Sequence, residues 1–117
     1  MDLYTSKAAS ALKYAGKVAK KLRHSYIGSE HILLGLLRET DSMAGTILDG
    51  YGVYEEKIRE LISQLIAPEA TQAVMDPDGY TPRARRVLER AAQEAQALSS
   101  AQIGTEHLLL AILKEQD

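Results

Sequence analysis

Apolar residues recur at helical spacing along most of the chain. Over residues 6–22 they follow the i, i+3, i+4, i+7 rule and form a narrow, alanine-rich stripe, which predicts an amphipathic helix. Residues 32–37 are apolar on nearly every side, so the helix that holds them is expected to lie in the core. A short helix is predicted over residues 43–48, and a fourth over residues 54–65.

The pattern of residues 4–41 returns in residues 80–117 without a gap. Of these 38 aligned pairs, 16 are identical, and the longest match sets IGSEHILL, from Ile27, against IGTEHLLL, from Ile103. Two helices that merely share amphipathic patterning would not match so closely. The chain is therefore interpreted as an internal duplication.

Two copies predict one pseudo-symmetric domain. The expected organisation is a single domain over residues 1–117, with repeat one at 1–66, a linker at 67–79 and repeat two at 80–117. The predicted fold class is all-α, a pseudo-twofold duplication of a four-helix repeat whose second copy is truncated after its second helix. The sequence is thus read as a piece of a longer protein. An exposed apolar surface is expected near Leu109, Ile112 and Leu113 unless another part of the protein covers it.

Composition narrows the functional classes. The chain has 117 residues, 45% hydrophobic and 26% charged, which is ordinary for a globular domain. It has no cysteine, so disulfides and thiolate metal sites are excluded. A net charge of −2 makes a general nucleic-acid binder improbable. Apolar runs fall short of a membrane span, and no nucleic-acid or membrane partner is expected. The predicted location is the cytoplasm.

The starts of the first helix in each repeat have unusual chemistry. Thr5 and Thr81 are predicted N-caps, and no acid follows either of them in the first turn. The first turns instead carry cations: Lys7 in repeat one, and Arg83, Arg85 and Arg86 in repeat two. The helix dipole favours carboxylates at such positions. Backbone N–H groups, a hydroxyl and cations together favour an anion-binding site; the alternative is that these cations are simply solvated.

The starts of the second helices carry acids. Ser29 and Thr105 are predicted N-caps, and Glu30 and Glu106 follow them directly. Compensation of the helix dipole is the ordinary interpretation. A carboxylate repeated in both copies also suits a guanidinium-bearing ligand whose negative group is held at a nearby helix start.

Chain length favours pairing between the repeats. The first helix is about 25 Å long at 1.5 Å per residue, and the connection to the second reaches at most about 24 Å. Thr5 and Glu30 are therefore hard to bring together within one copy. A composite site is expected to pair Thr5 with Glu106 and Thr81 with Glu30.

Catalytic and metal-binding motifs do not emerge from the sequence. His31 and His107 follow glutamates, but the spacing of a zinc protease is absent, so packing or capping roles are favoured over metal binding. Neither a phosphate-binding glycine loop nor a nucleophile with its base is recognisable. We expect a non-catalytic domain with no metal and no cofactor.

The repeated residues identify a family. The segments around Thr5 and Thr81, and the two stretches that begin at Ile27 and Ile103, resemble the duplicated N-terminal domain of Clp AAA+ unfoldases, most closely the ClpC type. The resemblance covers essentially the whole chain. It implies an all-α, non-catalytic domain mounted on a hexameric ATP-driven unfoldase that feeds a ClpP-type peptidase.

The resemblance also implies partners and site residues. Such domains dock substrates and adaptors, including MecA-like and McsB-like proteins, and ClpC-type relatives recognise phosphoarginine through two symmetric sites. By position, Thr5 and Thr81 fall at the phosphate end, and Glu30 and Glu106 at the guanidinium. The alternative is a docking or regulatory module of a Clp unfoldase that does not recognise phosphoarginine.

Overall fold

The computed structural model describes residues 3–58, 60 and 79–115. Its helices are α1 (Ser6–Lys21), α2 (Ser29–Arg38), α3 (Met43–Gly50), α4 (Pro82–Ala97) and α5 (Thr105–Lys114). Residues 55–58 are also helical. Two isolated β-bridges are the remaining regular pairing in the described part of the chain. The all-α prediction is confirmed, while half of the predicted fourth helix, over residues 54–65, and nearly all of the linker lie outside the described residues.

Small side chains let α1 and α2 pack closely. The stripe predicted on α1 is buried, and its fully inaccessible members are Ala8, Ala11, Ala15 and Val18. On α2, Gly35 lies directly against α1, because a β-carbon added there would overlap the backbone carbonyl oxygen of Ala11. A larger side chain at this contact would force the two helices apart.

The second helical pair copies the first. Helices α4 and α5 have 16 and 10 residues, as α1 and α2 do. The buried stripe of α4 is bulkier at one point, since Val87 stands where α1 has Ala11. The matching position on α5 is Ala111, which is fully buried, where α2 has Gly35. The two copies thus pack equivalent helices with different side chains at the contact.

Helix α3 joins the repeats. Ser42 caps it by accepting a hydrogen bond from the Gly45 N–H at 3.0 Å. The Ala44 N–H donates across to the Thr105 hydroxyl oxygen at 3.3 Å, which ties α3 to the start of α5. Leu109 of α5 is buried, at 6% exposure, so its predicted place on an exposed apolar surface is wrong. Leu113, one turn further, is 52% exposed as expected.

Backbone bridges connect each repeat to the other. In one, the Thr5 N–H donates to the Ile103 carbonyl oxygen at 2.9 Å, and the Ile103 N–H donates to that of Leu3 at 2.9 Å. The equivalent bridge joins Ile27 to the segment before α4, with the Thr81 N–H donating to the Ile27 carbonyl oxygen at 3.0 Å. Both bridges are parallel. They place the start of α1 beside the start of α5, and the start of α4 beside the start of α2.

Candidate functional site

Threonines cap the two long helices, as the sequence predicts. The Thr5 hydroxyl oxygen accepts from the Ala8 N–H at 3.2 Å, and the Thr81 hydroxyl oxygen accepts from the Ala84 N–H at 3.0 Å. No acid stands in the first turn of either helix. Each hydroxyl keeps its proton for donation outward, and the first N–H groups of a helix have no acceptor within it. These ends can therefore receive an anion.

Glycines, not Ser29 and Thr105, occupy the N-cap positions of α2 and α5. The caps are Gly28 and Gly104, so the serine and threonine are the first helical residues and the predicted caps are one position too late. A glycine offers no side-chain acceptor to the first turn.

Histidines take over part of the capping in these two helices. The His31 Nδ1 accepts from the Gly28 N–H, and the His107 Nδ1 accepts from the Gly104 N–H, both at 2.8 Å. Both histidine side chains are buried. The capping interpretation of these histidines is thus confirmed. A histidine three residues after a glycine in both copies was the sequence signal for this cap.

Each glutamate folds back over the capping glycine. A β-carbon added to Gly28 would lie 2.8 Å from the Glu30 carboxyl carbon, and one added to Gly104 would lie 3.0 Å from that of Glu106. The absent side chain of glycine leaves the space that the carboxylate fills. Both glutamates are half-buried, and so their carboxylates stay accessible at the helix starts.

The bridges set the four predicted site residues into two neighbourhoods. Thr5 is bonded through its backbone to Ile103, three residues before Glu106. Thr81 is bonded in the same way to Ile27, three residues before Glu30. The helix starts therefore meet across the repeats, in the arrangement that chain length predicts. Assignment of these residues to a ligand remains a prediction.

The two neighbourhoods differ in charge. Beside Thr5, the Lys7 ammonium lies 3.6 Å from an Asp41 carboxylate oxygen, and both side chains are largely exposed. Beside Thr81, the Arg85 guanidinium lies 5.2 Å from the centre of the Tyr80 ring, a cation–π contact. The position equivalent to Arg85 in repeat one is Ala9. The start of α4 is the more strongly basic of the two.

Arg85 also acts on the other repeat. Burial raises the pKa of Tyr4, and the nearby Arg85 charge opposes that rise. A second arginine of this start is engaged elsewhere, because Arg86 Nε lies 3.2 Å from a Glu115 carboxylate oxygen.

The described residues form neither a metal-binding cluster nor a membrane-spanning helix. Within residues 3–58, 60 and 79–115, no group of three histidines, cysteines or acids is placed to hold a metal ion. Across that same part of the chain, no helix is both long and apolar enough to cross a membrane.

Comparison with known proteins defines the family. The family profile of the Clp repeat N-terminal domain matches residues 3–117. The chain therefore belongs to the Clp repeat N-terminal domain family.

Its curated relatives are ClpC proteins. The chain is 39% identical over 113 residues to the "ATP-dependent Clp protease ATP-binding subunit ClpC" of Staphylococcus saprophyticus, covering 97% of the chain and 14% of the relative. It is 40% identical over 114 residues to the "Negative regulator of genetic competence ClpC/MecB" of Bacillus subtilis, covering 96% and 14%. The chain thus spans about one seventh of the length of these relatives.

Solved structures share the fold. The N-terminal domain of the chaperone ClpD from Arabidopsis thaliana superposes with a TM-score of 0.79 at 23% identity, covering 98% of this chain and 78% of that one. The Hsp104 N-terminal domain from Candida albicans gives 0.76 at 18% identity, covering 98% and 76%. At these identities the likeness establishes the fold alone.

Proposed function

We propose that this domain recognises arginine-phosphorylated proteins for a ClpC-type ATP-dependent unfoldase. The carrying observation is the pair of cross-repeat bridges. Twice, they bring a threonine-capped helix start without an acid beside a helix start that bears a glutamate. The two proposed sites are Thr5 with Glu106 and Thr81 with Glu30.

Phosphoarginine has the two chemical ends that such a site complements. Its phosphate is an anion with several acceptor oxygens, and the threonine hydroxyl and free N–H groups of a helix start donate to it. Its guanidinium presents N–H donors in a plane, which a carboxylate accepts. Phosphoserine lacks the second end, and arginine lacks the first.

The wider role is inferred from the family. We infer a non-catalytic module, without a cofactor, of an unfoldase hexamer that works with a ClpP-type peptidase in the cytoplasm. MecA-like and McsB-like adaptors are its expected protein partners. The similarity to ClpC proteins supports this assignment.

A second candidate is a docking module that does not recognise phosphoarginine. Exposed apolar side chains favour it, since Met43 and Ile47 of α3 are 58% and 41% exposed and Leu113 of α5 is 52% exposed. Apolar side chains at a surface suit contact with another protein. Such a module would bind adaptors but remain indifferent to the small ligand.

Amide NMR titration separates the two candidates. Phosphoarginine is expected to shift the amide signals of Ala8 and Ala84, which bond to the capping threonines, and those of Glu30 and Glu106. Phosphoserine and arginine, added at equal concentration, serve as controls. An unchanged spectrum of the folded domain, or equal shifts with phosphoserine, would refute recognition of phosphoarginine.

The site at Thr81 is expected to be the stronger one. Arg85 adds a charge there that repeat one lacks, because Ala9 stands at the equivalent position. Arg85→Ala should weaken binding at Thr81 by about tenfold, the loss of one charged contact of roughly 1.4 kcal/mol. Lys7→Ala should change binding at Thr5 less. Titration curves followed separately at Ala8 and Ala84 measure this, and equal wild-type affinities would contradict it.

Adding one methyl group should disable a single site. In Gly28→Ala the new β-carbon takes the space of the Glu30 carboxylate, so binding at that site should fall by about tenfold or more. Gly104→Ala should do the same to the other site. Gly16→Ala is the matched control, because its β-carbon meets only Ile27 Cδ1, at an ordinary 3.7 Å. If both sites of Gly28→Ala keep wild-type affinity in calorimetry, Glu30 is not a ligand.

A further inference from the structure

A pair of histidines lies behind the start of α2. The His24 Nδ1 and the His31 Nε2 are 2.8 Å apart, and the His31 Nδ1 accepts the Gly28 N–H. In repeat two a serine stands in place of the first histidine, and its hydroxyl, Ser100 Oγ, lies 3.3 Å from the His107 Nε2. The two copies therefore support the same glycine cap in different ways.

Proton positions in the pair follow from these bonds. Because the His31 Nδ1 is an acceptor, the proton of the neutral ring is assigned to Nε2, which donates to the His24 Nδ1. A proton added at the His24 Nδ1 would set two N–H donors against each other. A proton added at the His31 Nδ1 would remove the acceptor of the Gly28 N–H. The first event has no counterpart in repeat two, because the Ser100 hydroxyl can turn to donate or accept. The second would remove the cap in either repeat.

The surroundings disfavour a positive charge on His31. Its side chain is fully buried, and burial first, then the His24 charge, lowers the pKa of His31 from 6.5 to about 4. The Tyr26 ring stacks on that of His24, at 5.2 Å between centroids, and tilts against that of His31 at 5.3 Å. Lys20 of α1, an exposed residue, borders the same cavity as His24.

Glu30 is the acidic residue in the first turn of the helix that carries His31. Its carboxylate lies against Gly28. The segment before α4 contributes Gly79, an uncharged residue, to the cavity beside His24. The glutamate is half-buried, and the pKa of His31 is set by burial and by His24 rather than by this carboxylate.

We propose that the His24–His31 pair is an acid-sensitive latch that holds the start of α2 closed and releases the Gly28 cap as the pH falls. The pKa of His31 in the closed state lies below its ordinary value, so the opened state binds the proton more readily between pH 6.5 and about 4. The closed state is therefore fully favoured above this window. Inside it, the ratio of open to closed rises by up to about tenfold per pH unit.

Opening would act on one of the two proposed sites. This extension rests on the proposed function: Glu30 lies against Gly28, so release of the cap displaces the carboxylate that the ligand needs. The site of Thr81 and Glu30 should lose affinity in acid, while the site of Thr5 and Glu106 keeps its affinity. Protonation of the ligand phosphate affects both sites alike, which makes one site the reference for the other.

Hydrogen exchange without ligand tests the latch itself. Between about pH 7 and about pH 5, protection of the Gly28 amide, corrected for the intrinsic exchange rate, should fall by about twentyfold, because the response begins near pH 6.5. Protection of the Gly104 amide should fall much less. Equal losses at the two glycines in the wild-type domain would overturn the proposal, and that comparison needs no variant and no ligand.

Exchanging His24 and Ser100 between the repeats should move the acid sensitivity from one capping glycine to the other. His24→Ser copies repeat two into repeat one and should remove the excess acid sensitivity of Gly28. Ser100→His should give that sensitivity to Gly104. An acid response of Gly28 that stays as large in His24→Ser as in the wild type would also overturn the latch. If the response at Gly28 is present but phosphoarginine binds nowhere, the latch stands and the proposed ligand is wrong.

Discussion

Replacing Glu30 and Glu106 together by glutamine is expected to weaken phosphoarginine binding strongly at both sites. Each substitution removes the negative charge that accepts the guanidinium and keeps the side-chain shape over the capping glycine. A hydrogen bond to a charged group contributes about 1.5 to 3 kcal/mol, so each site should weaken by roughly ten- to a hundredfold. Calorimetric titration measures the loss.

Single variants and a remote control make this test specific. Glu30→Gln and Glu106→Gln alone should each leave about one equivalent of binding, because the sites use separate carboxylates. Glu89→Gln, at an exposed position in the middle of α4, should bind as the wild type does. A double variant that is folded and still binds with wild-type affinity would show that neither carboxylate contacts the ligand.

Gly35→Ala is expected to destabilise the domain strongly, although alanine is the better helix former. Helix propensity alone favours alanine over glycine by about 1 kcal/mol. At Gly35, however, the added β-carbon overlaps the Ala11 carbonyl oxygen, a backbone atom that cannot move without separating α1 from α2. Overpacking of this kind typically costs about 1 to 3 kcal/mol. Thermal and denaturant unfolding should show the decrease.

Two matched variants separate packing from propensity. Gly50→Ala places its β-carbon where no atom lies within 4 Å, so that change should be neutral or stabilise by up to about 1 kcal/mol. Ala111→Gly, at the position equivalent to Gly35, should cost about 0.5 to 1 kcal/mol through helix propensity, plus the packing of the lost methyl group. A Gly35→Ala domain as stable as the wild type would mean that the two helices do not cross so closely.

Periodicity and capping chemistry predicted most of the described fold. The stripe on α1 is buried as the i, i+3, i+4 pattern requires, and Thr5 and Thr81 cap their helices because a hydroxyl there satisfies an orphan N–H. The pairing of helix starts between the two repeats followed from chain length. Because α1 is as long as the connection that follows it can reach, Thr5 and Glu30 of the same repeat cannot easily meet. These features depend on local chemistry or on simple distances, which a sequence states directly.

Two predictions, one of helix caps and one of an exposed leucine, were wrong because of contacts that the sequence pattern does not show. Ser29 and Thr105 looked like caps, but buried histidines let the preceding glycines begin the helices. Leu109 looked exposed, but α3 of the other repeat packs near the start of its helix, held by the bond from Ala44 to Thr105. At Leu109 the deciding contact comes from a helix distant in the sequence. At the two glycines it comes from a histidine side chain that bonds to a residue three positions earlier. Helical periodicity predicts neither contact.

The sequence also predicted only part of the candidate site. Its four residues were chosen from position and resemblance, and they remain predictions about a ligand. The charges around these residues are known only from the structure. Lys7 contacts Asp41, and Arg85 contacts Tyr80, and the sequence does not predict either pair. The asymmetry between the sites rests on those contacts.

Calorimetric titration of the unmodified domain with free phosphoarginine tests the central claim most directly. Two sites related by the pseudo-twofold arrangement predict selective binding that saturates near two equivalents, with the Thr81 site filling first and with no comparable heat from phosphoserine or arginine. Absence of heat from a domain shown to be folded would contradict the claim and leave a module that docks proteins alone.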